Sequence, residues 1–177
     1  MTDCRAAVQR FLAKDLREWR GLPQPCPDPV VAGWFEPGEA AVGELLGEGT
    51  ATLGTDVVEY RYLAVEVGAF PQPVRLYLRH GGLAVVRAEL WTLGQAGGTE
   101  PVALGEPTDR VDLVWRQQVI PGAEHVYTDR GLALGILPST GAIVTAAGFA
   151  PCSAQDYQRR YAPTEPMGEL LPHRPAG

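Results

Sequence analysis

Residues 74–91, VRLYLRHGGLAVVRAELW, carry the clearest structural signal in this chain. Two runs rich in aliphatic and aromatic side chains, 74–80 and 83–91, flank Gly81 and Gly82. Glycine adopts positive φ without strain, so paired glycines between two such runs predict a tight β-hairpin. An antiparallel sheet is therefore the starting point for the whole chain.

The same turn predicts the register, because cross-strand neighbours are counted outward from it. The predicted pairs are His80 with Leu83, Leu78 with Val85, Leu76 with Arg87 and Val74 with Glu89, and on the other face Arg79 with Ala84, Tyr77 with Val86 and Arg75 with Ala88. The first face is richer in leucine and valine, so it is the predicted core face. The second face carries large polar and aromatic groups beside small ones.

Further helices, strands and connectors are predicted from the spacing of apolar residues and from the caps, glycines and prolines that begin or end regular structure. Residues 3–20 place their apolar side chains on one helical stripe, with Thr2 or Asp3 as the cap and Gly21 as the stop. The prolines at 23, 25, 27 and 29 predict an extended connector. The further predictions are a helix at 39–46, strands at 57–67, 111–120, 132–137 and 142–149, and a short helix from Ser153 through Tyr161, followed by a mobile tail.

Two stretches open in the same way. Residues 35–50 and 99–108 each contain an acidic run followed by Leu-Gly-Glu and then strand-like sequence. Each stretch is followed further along the chain by a tyrosine with a glycine hairpin signal, at 77–84 and at 127–133. This repeated order predicts an α+β fold in one domain, 1–177, whose antiparallel sheet is built from two divergent helix-plus-sheet halves. The predicted parts are an N-terminal helix packed on the sheet with its Pro-rich connector (1–34), a first half (35–94), a second half (95–150), and a short helix with a mobile tail (151–177).

The order of helix, Leu-Gly-x-Pro, strand and glycine-turn hairpin resembles the module of β-lactamase inhibitor proteins and is similar to small outer-membrane assembly lipoproteins. The motifs that carry it are VALGEP at 102–107, GLAL at 131–134 and GAIV at 141–144. Gly49 stands where the first half would have the proline, and residues 125–127 read HVY in place of the usual Trp-x-Tyr. The resemblance implies a non-catalytic sheet that grips another protein.

Net charge and cysteine content indicate which class of partner and which cellular compartment to expect. The net charge of −6 disfavours nucleic acid and fits a basic protein partner. Cys4, Cys26 and Cys152 form no CxxC pair and are odd in number, so neither a zinc site nor a disulfide framework is indicated. Three free thiols are typical of a reducing compartment. No signal-peptide pattern and no run of roughly 20 apolar residues is visible, so we expect a cytoplasmic protein without a membrane contact.

Catalytic and cofactor chemistry find little support. Cys152, His125 and Asp129 are the residue types of a thiol triad, but a buried structural cysteine with surface loop residues is favoured. The three histidines share no metal-ligand spacing, and the glycine-rich segment 94–98 lacks the lysine of a phosphate loop. We therefore predict no catalytic residue, no metal and no cofactor.

The most informative constellation is the stripe of Arg75, Tyr77 and Arg79, with Tyr60 and Trp91 as further anchors. Tyrosine, tryptophan and arginine dominate binding hot spots, because each buries a large area while keeping a polar group. The alternative is that these side chains form a second layer, with arginine stems lying over apolar surface.

The sequence thus favours a non-enzymatic protein-binding module, such as an immunity or inhibitor protein that occludes the functional cleft of a partner. The alternative is a small enzyme or ligand-binding protein with an aromatic pocket between the sheet and the helices. A structural subunit of a larger assembly is a third interpretation.

Overall fold

The computed structural model describes residues 3–35, 42–68, 70–90, 110–115, 122–137, 141–163 and 168–172. Their elements are α1 (Cys4–Leu12), β1 (Glu44–Leu53), β2 (Val58–Glu66), β3 (Val74–Arg79), β4 (Gly82–Glu89), β5 (Arg110–Trp115), β6 (Gly122–Tyr127), β7 (Leu132–Ile136), β8 (Ile143–Phe149), α2 (Ala154–Arg160) and β9 (Gly168–Pro172). The nine strands form one sheet in the order β1-β2-β3-β4-β8-β7-β6-β5-β9. Every neighbouring pair is antiparallel, so the predicted α+β class with an antiparallel sheet is confirmed.

The strand order contains two meanders. Strands β1 to β4 follow one another across the sheet, and strands β5 to β8 do the same from the other side. The two meanders meet where β4 pairs with β8, and β9 lies outside β5. Among the described residues, β1 and β9 are therefore the two edges of the sheet.

The two helices lie on opposite faces of the sheet. On the α1 face, Val8 and Phe11 pack with one set of strand side chains, which includes Leu63, Leu76 and Leu132. On the α2 face, Tyr157 packs with the alternate set. That second set includes Tyr60, Tyr77, Val85, Leu113, Val126 and Phe149. A sheet buried on both faces explains why β7 has no exposed position.

Helix α1 begins where the sequence predicts and ends earlier. The Asp3 side chain accepts a hydrogen bond from the Arg5 amide, as an N-cap does. The helix ends at Leu12 because Lys14 adopts positive φ, at 60°, which breaks the helical backbone. The prediction of a helix to residue 20 was therefore wrong, although Trp19 still reaches the core and donates its indole N–H to the Gly131 carbonyl at 2.9 Å.

The helix predicted at 39–46 is corrected at its end, because Glu44 already begins β1. Strand β1 is ten residues long and pairs along its length with β2, and this pairing satisfies more backbone groups than a short isolated helix could. Residues 39–41 of that prediction lie outside the described residues, as do the 99–108 motif and Trp91.

The β3–β4 hairpin is confirmed, but its register differs from the predicted one. His80 and Gly81 form the turn with φ of 54° and 73°, so that Arg79 lies opposite Gly82. A β-bulge then places the extra residue Ala84 in β4. The observed pairs are Leu78 with Leu83, Tyr77 with Val85, Leu76 with Val86 and Arg75 with Arg87.

The bulge exchanges the two faces of β4 beyond residue 84. Leu76, Leu78 and Leu83 lie on the α1 face with the core, as predicted. Val85 lies on the α2 face instead, and Val86 and Ala88 take the core positions. The prediction that Val85 belongs to the same face as Leu83 was wrong because a one-residue shift inverts every following side chain.

Cys4 and Cys26 form a disulfide, which corrects the prediction of three free thiols. The Pro-rich connector folds back beside α1 and brings the two Cα atoms to 5.8 Å, within the usual range for a disulfide. Cys152 is the free cysteine. The connector is not simply extended as predicted, because it bends at 24–25 and turns over 29–35, and Pro27 bridges to Gly82 at the hairpin.

For the C-terminal part, the predicted helix cap is confirmed and the prediction of a wholly mobile tail is wrong. Ser153 caps α2 by accepting from the Asp156 amide at 3.1 Å, as the sequence predicts. The tail is not all mobile, because Gly168–Pro172 pairs with β5 as β9. Strands β1, β6 and β9 were not predicted. Neither described helix is long and apolar enough to span a bilayer.

Candidate binding site

Strand alternation brings four of the five predicted anchors together on the α2 face. Tyr60 belongs to β2, and Arg75, Tyr77 and Arg79 belong to β3. Tyr62, also on β2, lies directly opposite Tyr77 and joins the group. We call these five side chains the arginine–tyrosine stripe. The predicted fifth anchor, Trp91, lies outside the described residues.

Burial divides the stripe into two parts. Tyr60 and Tyr77 are only 2% and 3% exposed, and their rings pack edge-on with centroids 6.1 Å apart. The Tyr60 hydroxyl donates to the carbonyl of Arg160, the last residue of α2, at 2.9 Å, and burial raises the pKa of Tyr60 to about 12. These two tyrosines therefore form the layer beneath α2. Their expected role as surface anchors is corrected, because they leave a partner almost no side chain to contact.

Arg75 and Arg79 form the exposed part of the stripe. The Arg75 guanidinium carbon lies 4.5 Å from the centroid of the half-buried Tyr62 ring, which is a cation–π contact. Although partial burial opposes the charge, a side-chain hydrogen bond with Tyr77 and electrostatic interactions with Tyr77, Tyr62 and Glu89 raise the pKa of Arg75, so it stays cationic. Among the described residues, neither arginine forms an ion pair.

Two glycines of β1 shape the space beside this pair. A Cβ added to Gly49 would lie 2.6 Å from the Tyr62 hydroxyl oxygen, so the Tyr62 ring lies across the edge strand where only glycine fits. A Cβ added to Gly47 would meet no atom within 4 Å. Tyr62 and Arg75 thus form a plate at the edge of the sheet, with open space beside it. We call this pair the Tyr62–Arg75 plate.

A third arginine on the same face, Arg87, belongs to a buried network that the sequence did not reveal. Arg87 Nη1 donates to Glu124 Oε1 at 3.2 Å, and Arg87 Nη2 donates to the Tyr161 carbonyl at 2.8 Å. The Tyr157 hydroxyl donates to Glu124 Oε2 and accepts from Arg87 Nη2 at 3.2 Å. The Arg87 and Glu124 side chains are 11% and 1% exposed.

This Arg87–Glu124–Tyr157 network joins β4, β6 and α2, and so connects the two meanders. Burial opposes the charge of Arg87, but Tyr157 and Glu124 raise its pKa above the usual range. Burial and the neighbouring Glu124 carboxylate raise the pKa of Tyr157 well above its ordinary value. The two terminal nitrogens of Arg87, the Glu124 carboxylate and the Tyr157 hydroxyl are hydrogen-bonded within the network, while Arg87 Nε is buried without a hydrogen-bond partner among the described residues. These contacts make the network a structural connection.

The residues considered for a thiol triad are not assembled. Cys152 packs with the α2-face cluster, and burial raises the pKa of its thiol to about 11, so little thiolate forms near neutral pH. His125 points to the opposite face, since its neighbour Val126 belongs to the α2-face cluster. There the Arg110 guanidinium approaches His125 Nε2 at 2.7 Å, beside Asp112.

Within the described parts of the chain, no group of three His, Cys, Asp or Glu side chains is placed to hold a metal ion. Comparison with known proteins adds no assignment: no family model, no curated protein sequence and no solved structure matches this chain.

Proposed function

We propose that this chain is a non-enzymatic protein-binding module, of the inhibitor or immunity kind, that places the exposed part of the arginine–tyrosine stripe against the functional cleft of a partner. One observation carries the proposal. Arg75 and Arg79 are exposed cations without an ion pair among the described residues, held on a rigid strand beside an aromatic ring.

The rigidity of this surface supports a binding role. Arg75 and Arg79 stand on β3, which is hydrogen-bonded to a strand on each side, and stacking on Tyr62 restricts Arg75 further. Side chains that are ordered before binding lose less conformational entropy when the complex forms. A stacked guanidinium also directs donors at its edge toward a carboxylate.

Overall and local charge suggest different features of the partner. The net charge of −6 favours the approach of a basic protein, as the sequence predicts. The exposed stripe is locally cationic and favours an acidic side chain at the point of contact. A partner that is basic overall, with a carboxylate at its cleft, fits both.

The proposal includes the predicted relationship between the two halves, 35–94 and 95–150. In its support, β1 to β4 and β5 to β8 are both four-stranded meanders that meet through their last strands. Such an arrangement would resemble the tandem sheet of β-lactamase inhibitor proteins. A single continuous surface made by both halves suits a protein that covers a cleft.

The compartment is also part of the proposal. The Cys4–Cys26 disulfide favours an oxidising compartment, whereas the sequence alone predicts the cytoplasm. Mass spectrometry of protein taken directly from cells after rapid thiol alkylation would decide between them. One alkylated cysteine indicates the disulfide, and three alkylated cysteines indicate a reducing compartment.

An enzyme or ligand carrier remains the second candidate, and the Arg87–Glu124–Tyr157 network is the observation in its favour. Shifted ionisable groups often belong to active sites. Here α2 covers the network, and the Arg87 and Glu124 charges are paired with each other. The network therefore presents fewer accessible groups to a ligand than the exposed stripe does.

The decisive experiment compares partner capture from the source cells by the wild-type chain and by an Arg75→Glu, Arg79→Glu variant. The control is Arg10→Glu, Arg17→Glu, which makes the same change in net charge at exposed positions on or just after α1. We expect one partner to be retained by the wild type and the control and to be reduced about tenfold or more in the stripe variant. Equal capture by all three proteins would reject the proposed surface.

A further inference from the structure

The outer edge of β1 carries no strand partner in the parts of the chain that the structure describes. Within the described residues, β1 pairs only with β2, and its positions from Glu44 to Ala51 are largely exposed. The other end is covered, since Leu53 bridges to Pro163. Exposed edges present unpaired N–H and C=O groups, and an extended peptide can add to them as a new strand.

The Tyr62–Arg75 plate extends to this edge. Because the Tyr62 hydroxyl lies over Gly49 of β1, the ring spans the distance from β2 to the outermost strand. Arg75 lies on that ring, which carries its guanidinium outward from β3. An added strand would lie about 4.8 Å beyond β1. A side chain opposite Gly49 would then point over the glycine toward the plate. A carboxylate there would meet the exposed Arg75 guanidinium, which forms no ion pair among the described residues, although Glu89 contributes to its electrostatic surroundings.

A second charged position lies on the same face of the same edge. Glu44 and Glu66 are directly opposite each other on β1 and β2, and both are exposed. Like charges directly opposite each other in a sheet repel. Glu66 is four residues from Tyr62 along β2, so both positions face the same side. A basic side chain of an added strand at the level of Glu44 would relieve the repulsion.

We propose that β1 is a docking edge for an extended segment of a partner protein, which adds to the sheet as a strand. That segment carries an acidic side chain opposite Gly49 and a basic side chain opposite Glu44. These positions are five residues apart on β1, but the bulge at Leu46 contributes one of the five, so the two side chains are four residues apart on an opposing strand, as Tyr62 and Glu66 are on β2. The inference rests on the proposed protein-binding function and gives its mode and the chemistry of the partner.

A second copy of this chain does not fit the edge in the same way. The sequence of β1, ELLGEGTATL, contains two glutamates and no lysine or arginine. Two copies of β1 paired edge to edge would therefore bring only negative charges together. A foreign segment with both signs of charge is the occupant that the edge favours.

The test uses a phage-displayed library of random twelve-residue peptides, selected separately on the wild-type chain, on Arg75→Glu and on the control Arg17→Glu. We expect the wild type and the control to enrich peptides with an acidic and a basic residue four positions apart. We expect Arg75→Glu to lose this preference and to bind the best wild-type peptide about tenfold more weakly. A selection without this pattern, or one that is the same on Arg75→Glu, overturns the inference.

Hydrogen exchange locates the bound peptide. With the best peptide present, amides of residues 44–51 should exchange more slowly, while those of β9 should not change. Protection elsewhere overturns the edge assignment, and concentration-dependent dimerisation of the free chain that protects the same amides would assign the edge to a second copy instead. If partner capture depends on Arg75 and Arg79 but the captured partner leaves residues 44–51 unprotected, only the edge inference fails. If capture is independent of both arginines, the proposed function fails as well.

Discussion

Arg75 and Arg87 lie directly opposite each other on β3 and β4, yet their surroundings differ completely. Arg87 is covered by α2 and receives its counter-charge from Glu124 on β6. Arg75, one strand further out, has an aromatic ring beneath it and is exposed to solvent. The same residue type on the same face thus connects the protein internally at one position and is free to act externally at the next. The edge of the α2 layer makes the difference.

The largest expected effect concerns Arg87, the arginine that α2 covers. Glu124→Gln leaves the buried Arg87 charge without its counter-ion, so we expect unfolding free energy to fall by about 3–5 kcal/mol. Urea denaturation measures it. Glu48→Gln, which removes the exposed 2.6 Å pair with Arg61, is the control and should cost less than about 1 kcal/mol. If both variants lose the same unfolding free energy, the Arg87–Glu124 pair contributes no more to stability than the exposed Arg61–Glu48 pair does.

The second prediction concerns the tyrosine beneath α2. The pKa of Tyr60 is about 12 in the folded chain against an ordinary value of 10.0, and burial is the main cause. Because the folded pKa is raised, the associated stability is present below pH 10 and is lost as pH rises toward 12. A shift of this size corresponds to about 2–3 kcal/mol.

The measurement is urea unfolding from pH 8 to pH 11.5 for the wild type, for Tyr60→Phe and for the control Glu48→Gln. The pKa of Tyr157 is raised in the same direction, so the unfolding free energy of Tyr60→Phe should still fall as pH rises. The fall should be smaller than in the wild type by the part that is due to Tyr60. The control should follow the wild type. Identical alkaline profiles for all three would show that Tyr60 is not sheltered by α2.

Two matched glycine substitutions in β1 test whether the Tyr62 ring lies across this edge strand. Gly49→Ala places a methyl group against the Tyr62 hydroxyl and must displace the ring, so we expect a loss of about 1 kcal/mol or more. Gly47→Ala enters open space on the same strand and should be neutral or slightly stabilising, since alanine restricts the unfolded chain. Equal effects in urea denaturation would mean that Tyr62 does not lie across the edge.

The smallest expected effect on stability belongs to Arg75 itself. Arg75→Gln removes the stacking on Tyr62 and no ion pair among the described residues, so the loss should be about 0.5 kcal/mol. Partner binding should nevertheless fall, which separates a binding residue from a structural one. A loss of unfolding free energy as large as that of Glu124→Gln would remove the distinction between the two arginines.

Local patterns predict the parts of this fold that depend on neighbours along the chain. Alternation grouped Arg75, Tyr77 and Arg79 on one face of the β3 strand, and in the structure Tyr60 and Tyr62 of β2 lie on that same face. The cap at Ser153 was likewise predicted, because the Ser153 side chain bonds the amide of residue 156, only three positions away.

Features that depend on distant contacts were missed. No residue signals the bulge at Ala84, so Arg87 was assigned to the wrong face. Glu124 lies in a segment that was not predicted as a strand, and its role depends on a residue of the other meander. The pairing of Cys4 with Cys26 requires the connector to fold back, which cysteine spacing alone does not indicate.

The extra residue in β4 makes this strand intolerant of changes in length. Removing Ala84 would put the rest of the strand out of phase, turning the Arg87 guanidinium toward the leucines packed under α1 and leaving the Glu124 carboxylate buried without its cation. Insertions and deletions in β-proteins are usually absorbed by surface turns. Here a single codon gained or lost a few residues beyond the turn would invert the interior of the molecule, while the turn at His80 and Gly81 would keep its shape.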